Sequence, residues 1–133
     1  MKKEIEKDWK DLEFEYTSRK DEVQAIAKNI KINNHDDDVQ VIITAYSGGG
    51  AEFRAVFDKI EKTTDILNLL NDFNHNNIFF KAFIRDDGFL ELEHFFICFE
   101  EAMFKSYSGE FLSRLAGLSS NEYLQELTKY THD

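Results

Sequence analysis

Proline is absent from this chain, and tryptophan and cysteine occur once each. Without proline there is no rigid Pro-rich linker and no PxxP ligand. With Cys98 alone, an intrachain disulfide is excluded and one chain cannot build a thiolate zinc site. Cys98 sits in the run FFICF, where it reads as a small buried hydrophobe rather than a reactive thiol. No apolar run approaches the roughly 20 residues that a membrane-spanning helix needs. The start, MKKEIEKDWKD, is charged and lacks the apolar centre of a signal peptide, so the expectation is a cytoplasmic protein with no membrane contact. Positive charge is scarce: 16 Lys and Arg stand against 26 Asp and Glu, a net charge of −10. Such a surface repels phosphate backbones, which argues against direct nucleic-acid binding and for a basic protein partner or none.

What the chain does have is phenylalanine, 13 of them in 133 residues. That length suits one domain, 1–133, and the many flat rings suggest a core or an interface built from aromatic pairs. Residues 1–16 form an extension with two patterns: Ile5 and Trp9 are spaced for one helix face, whereas Leu12, Phe14 and Tyr16 alternate as in a strand. Thr17 or Ser18 caps a predicted helix through Asn29, on the helical spacing of Val23, Ile26, Ala27 and Ile30. Val39 to Tyr46 alternates as a strand, Gly48, Gly49 and Gly50 supply a turn, and Phe53, Ala55 and Phe57 line the returning strand.

Thr63 or Thr64 caps the next predicted helix, whose apolar face is Ile66, Leu67, Leu69, Leu70 and Phe73. Asn74 to Asn77 close it, because asparagine tolerates the left-handed conformation at a helix end. Ile78 to Arg85 and Phe89 to Phe99 are predicted strands around Asp86-Asp87-Gly88, an Asp-Gly hairpin signal. Glu91 and Glu93 give the second strand a wet face, while 95–99 is apolar on both faces and calls for a cover. A helix carrying Phe111, Leu112 and Leu115 stops at Gly117; Ser119-Ser120-Asn121-Glu122 then reads as a capping box before Tyr123, Leu124, Leu127 and Tyr130. The predicted fold is α+β: an antiparallel sheet of about five strands with helices packed on one side.

Three segments carry a resemblance. Glu52-Phe53-Arg54-Ala55-Val56-Phe57, Leu70-Asn71-Asp72-Phe73-Asn74 and the run from Phe80 to Gly88 resemble, in that order, the strand, helix end, and strand with acidic turn of the YbjN family of bacterial sensory-transduction regulators. The helix-end position that is usually Trp in that family is Phe73 here. The resemblance implies a fold like that of type III secretion chaperones and a non-catalytic, often dimeric protein that binds other proteins. It carries over no catalytic residues.

Residue constellations that would do chemistry are weak. Asp36-Asp37-Asp38 beside His35 lacks both the spacing and the glycine of an EF-hand loop and reads as a solvated turn. Ser47-Gly48-Gly49-Gly50 is followed by a strand rather than by the lysine, hydroxyl and helix of a phosphate loop. Glu91 and Glu93 share a face, but His94 points the other way. His75 and His132 have no ligand spacing to each other, and no nucleophile-elbow motif is present. The expectation is no catalytic site, no metal and no cofactor. What remains is Phe79, Phe83, Phe95, Phe99 and Phe104, whose rings are expected to stack on the sheet face that Phe80, Ala82 and Ile84 leave free. Contiguous exposed apolar area of that kind marks a partner site. Two functions follow: an adaptor or chaperone-like protein that uses this face to form a homodimer or hold a client, or an acidic inhibitor, such as an immunity or anti-defence protein, that blocks a basic nucleic-acid-binding partner.

Overall fold

The computed structural model describes residues 14–19, 22–30, 39–46, 50–97 and 101–132. They form an α+β architecture: a six-stranded antiparallel sheet and three α-helices. The strands are β1 (Phe14–Arg19), β2 (Glu22–Ile30), β3 (Val39–Tyr46), β4 (Gly50–Lys59), β5 (Lys81–Ile84) and β6 (Phe89–Ile97). Across the sheet they lie in the order β1-β2-β3-β4-β6-β5. The helices are α1 (Thr64–Asn76), α2 (Glu101–Gly117) and α3 (Glu122–Lys129), with a 3-10 turn, Leu118–Ser120, between the last two.

The largest departure from expectation is at the start. The helix expected from Thr17 to Asn29 is a pair of strands, which raises the sheet from about five strands to six. Val23, Ala25 and Ala27 also alternate, and in β2 they fall opposite Ala45, Ile43 and Val41 of β3. A helix there would leave the backbone of β3 unpaired on that side, so sheet pairing overrides a helical spacing built on β-branched residues.

The central hairpin forms as its alternation requires. On one face of β3 and β4, Val39, Val41, Ile43, Ala51, Phe53 and Ala55 are wholly buried. Leu90, Leu92 and Phe96 of β6 and Ala82 and Ile84 of β5 extend that face. The helices deliver Ile66, Leu70, Phe73, Phe111, Leu115, Leu124 and Leu127 to the same core. Phe111 is its keystone: its ring centroid is 4.8 Å from that of Phe53 and 5.6 Å from that of Phe80. Leu67 and Tyr130, both expected on apolar helix faces, are instead about half exposed. The chain's end returns to the sheet, where Lys59 and His132 exchange backbone hydrogen bonds of 3.0 and 2.8 Å.

Helix ends follow side-chain chemistry. Thr63 caps α1, its hydroxyl accepting from the Ile66 amide at 3.2 Å. Asn121 caps α3 in the same way through the Leu124 amide at 2.9 Å. Gly117 is not a left-handed stop: its φ is −66° and the chain runs on into the 3-10 turn. Nor does asparagine close α1 by a left-handed backbone, since Asn77 is extended. Asn77 accepts from the amides of Phe79 and Phe80 at 3.0 and 2.8 Å. Asn74 donates to the Ala82 carbonyl at 3.0 Å and accepts from its amide at 2.7 Å. Ala82 lies on the outer edge of the sheet, so one asparagine side chain takes the place of a missing strand and closes that edge to further pairing. Gly88, at φ +91°, makes the β5–β6 turn, as the Asp-Gly pair predicts.

Candidate functional site

Because strand side chains alternate, the register that buries Phe53 and Leu92 under the helices turns a second set of residues to the opposite face. Four rows cross it. Gln40, Val56, Glu91 and Phe83 stand side by side; then come Ile42, Arg54, Glu93 and Lys81; then Thr44, Glu52 and Phe95; and finally Tyr46, Gly50 and Ile97. Charge is concentrated at one end and exposed apolar area at the other.

At the charged end lies an open groove of about 540 Å³, walled by Glu52, Arg54, Phe83, Arg85, Glu91 and Glu93 among others. Glu91 is the odd member. Its register neighbours are apolar on both sides, Val56 and Phe83, and the residue is only 3% exposed. Its Oε1 lies 3.9 Å from Arg54 Nη1 and 3.8 Å from Arg85 Nη1, beyond hydrogen-bond reach of either, and is buried without a hydrogen-bond partner. Both guanidiniums are drawn aside. Arg54 Nε is 3.1 Å from Glu52 Oε1, in a pairing that leaves this nitrogen without an aligned hydrogen bond, and Arg85 donates to Asp87 at 2.8 Å. Burial therefore outweighs the two nearby cations and pushes the Glu91 carboxyl above the ordinary glutamate range.

At the apolar end Phe95 and Ile97 are 57% and 56% exposed. The end of the Phe95 ring comes close to Gly50, where a Cβ would stand 2.8 Å from the ring's Cζ, so a larger residue there would push the ring aside. Strand lengths matter here too. β5 pairs with β6 only as far as Lys81 opposite Glu93, so His94–Ile97 has β4 on one side and no strand on the other among the described residues. Ala82 turns its backbone groups to Asn74, so Lys81 and Phe83 turn theirs to Glu93 and Glu91. The two-residue period then aims the amides and carbonyls of Phe95 and Ile97 at the open notch. A groove of about 600 Å³ fills it, with Ile78, Phe79, Lys81, His94 and Phe95 in its walls. Ile78 is fully exposed at its lip.

The five phenylalanines expected to stack on one face do not gather. Phe79 is on the helix-covered side, where its ring stacks on His94 at 4.0 Å and 6° while the Arg114 guanidinium lies 4.7 Å from its other face. His94 Nδ1 sits 2.7 Å from the Phe79 carbonyl, which can only accept, so Nδ1 carries the proton. Phe83 and Phe95 share the open face but stand two rows apart. Phe99, with Cys98, lies outside the described residues, and Phe104 is on α2 in a stretch described by its backbone alone. The Asp36 to Asp38 turn and Gly48 and Gly49 are also outside them.

Glu91 and Glu93 share a face and His94 takes the other, as the alternation requires, but Glu91 is buried rather than wet. Sequence reasoning missed Arg54, Arg85, Ile78 and Ile97 as members of this surface. A signal existed for Arg85: an Asp-Gly turn closed between Arg85 and Phe89 sets Phe83 against Glu91 and Lys81 against Glu93. Among the described residues no group of three His, Cys, Asp or Glu side chains converges as a metal site. No described helix is long and apolar enough to cross a membrane. Comparison of the chain with protein-family models, with curated proteins and with solved structures found no match.

Proposed function

We propose that this chain is a non-enzymatic protein-binding module, an adaptor or chaperone-like regulator of the YbjN type, and that it grips an extended segment of a basic partner protein at the β6 overhang. The carrying observation is the notch beside Phe95 and Ile97, where exposed side chains and outward-aimed backbone groups coincide. A peptide laid there would add a strand to the sheet: main-chain hydrogen bonds would hold it, and its alternate side chains would enter the groove beside Ile78 and Phe79. Charge selects the partner. A second copy of a chain carrying −10 would meet its own repulsion, whereas a basic protein would be steered in.

The same charge supports the other reading, an acidic inhibitor that covers the nucleic-acid-binding site of a basic protein. The two share a surface and differ in the partner's own activity. The test uses immobilised full-length chain, wild type against Phe95→Asp. Proteins retained by the wild type alone are identified, purified and titrated, with association rates measured across ionic strength. The expected result is a basic protein whose on-rate falls with salt, and whose affinity drops about a hundredfold in the variant, as when a central aromatic anchor is lost. Circular dichroism and melting temperature should be unchanged. A purified partner that binds wild type and Phe95→Asp alike, or a chain that pairs only with itself, would overturn the proposal. Loss of the partner's nucleic-acid binding on complex formation selects the inhibitor.

A further inference from the structure

Glu91 is costly as it stands: a carboxylate flanked by Val56 and Phe83, with a buried oxygen that receives no hydrogen bond. Packing alone would be served as well by an amide or an apolar residue of that size, because a buried charge with incomplete partners costs more than it returns. Its two cations stay with Glu52 and Asp87 instead of closing on it. Five carboxyl groups and two guanidiniums wall the groove, and each guanidinium already has a carboxylate beside it, Glu52 or Asp87. The carboxylates are spread along the groove rather than convergent, which suits an elongated organic cation better than a metal ion. Phe83, partly buried on the wall, offers a ring and apolar surface for an aliphatic stem.

We infer that the groove over Glu91 receives an ammonium or guanidinium group on an aliphatic stem, with the Glu91 and Glu93 carboxyl groups accepting its hydrogen bonds and Phe83 packing along the stem. Glu93 also walls the notch beside Phe95, so the two grooves are neighbours along β6. A lysine or arginine side chain of a segment seated in that notch is one source of such a group, and this part of the inference rests on the protein-binding reading; a free polyamine is the other.

The test is an NMR titration of the full chain with three probes: N-acetyl-arginine amide, its neutral isostere N-acetyl-citrulline amide, and spermidine. The expected result is saturable shifts at the amides of Phe83, Glu91 and Glu93 with a cationic probe and none with the citrulline compound. Glu91→Gln should weaken that binding about tenfold or more, the worth of a charge-assisted hydrogen bond. Saturation by blocked arginine but not by spermidine assigns a protein side chain; the reverse assigns a free polyamine. Equal binding of the neutral isostere, shifts confined to other residues, or silence from both cations would overturn the inference. Should Glu91→Gln fail to fold, Glu93→Gln and the arginine–citrulline comparison on wild type decide the matter. The outcome is separable from that of the partner test: a chain that ignores both cations yet loses its partner in Phe95→Asp keeps the binding function and loses this groove.

Discussion

The two faces of one sheet are built from the same strands and could hardly differ more. Under the helices, β4 and β6 present Phe53, Ala55, Leu90 and Leu92, none with any exposed surface. On the other side the same strands present Arg54, a buried and incompletely partnered Glu91, and an exposed Phe95. Stability is concentrated on the first face, where one cluster of buried apolar side chains joins the sheet to the helices. The second holds features that folding alone would discard, which is where proteins keep the residues they need for something else. The two edges near that site differ in the same way. Asn74 bonds to the outer side of β5 at Ala82, whereas β6 beyond β5 has no partner strand on that side among the described residues.

That contrast can be broken by experiment. Phe111→Ala removes the ring between Phe53 and Phe80, and should cost about 3–5 kcal/mol in urea unfolding, the range for a fully buried aromatic. A loss as small as that of a surface change would mean the helices do not seal that face. Asn74→Ala uncovers both backbone groups of Ala82. It should cost about 1–3 kcal/mol and add self-association through the freed edge, visible by sedimentation. Asn74→Ala that sediments like wild type and is as stable would remove the distinction between the two edges.

Glu91→Gln is the finest of the three. Because burial raises the carboxyl above its ordinary value, its contribution to stability is full below the unfolded pKa and is lost as pH rises through the folded one. Wild type should therefore weaken relative to Glu91→Gln as pH climbs through that window, and at neutral pH the variant should melt no lower than wild type. A wild type that gains on the variant as pH rises would show that Arg54 and Arg85 outweigh desolvation, and would make Glu91 an ordinary structural ion pair.

Local chemistry foretold the elements around Thr63 and Gly88, since a cap or a tight turn involves only residues a few positions apart, whereas the capping box read at Ser119 gives way to a cap at Asn121, with Ser119 and Ser120 in the 3-10 turn. The strand-like alternation at Phe14 and Tyr16 falls in β1, but β2 was misjudged because Val23 to Ile30 satisfies both a helical and an alternating period, and only the presence of β3 decides between them. The asparagines after Phe73 were legible as a helix end but not as a substitute strand, since Ala82, whose edge Asn74 seals, is brought there by the fold. Of the candidate site, Phe83, Phe95, Glu91 and Glu93 were on the page as alternating residues. Phe79 was misplaced because it precedes β5 and follows α1 toward Arg114 instead of the strand's alternation.

By itself the sequence determined the α+β class, the Thr63 cap, the Asp-Gly hairpin and the acidic composition, because each depends on near neighbours or on composition. Only the tertiary structure decided that β6 rather than β5 lies against β4. That one choice sets Arg54 near Glu91 and leaves Phe95 and Ile97, among the described residues, with a strand only on their β4 side, where the two grooves take shape. Strand order is a contest among distant pairings for the same backbone hydrogen bonds and the same apolar face, and no short stretch of chain records who wins it.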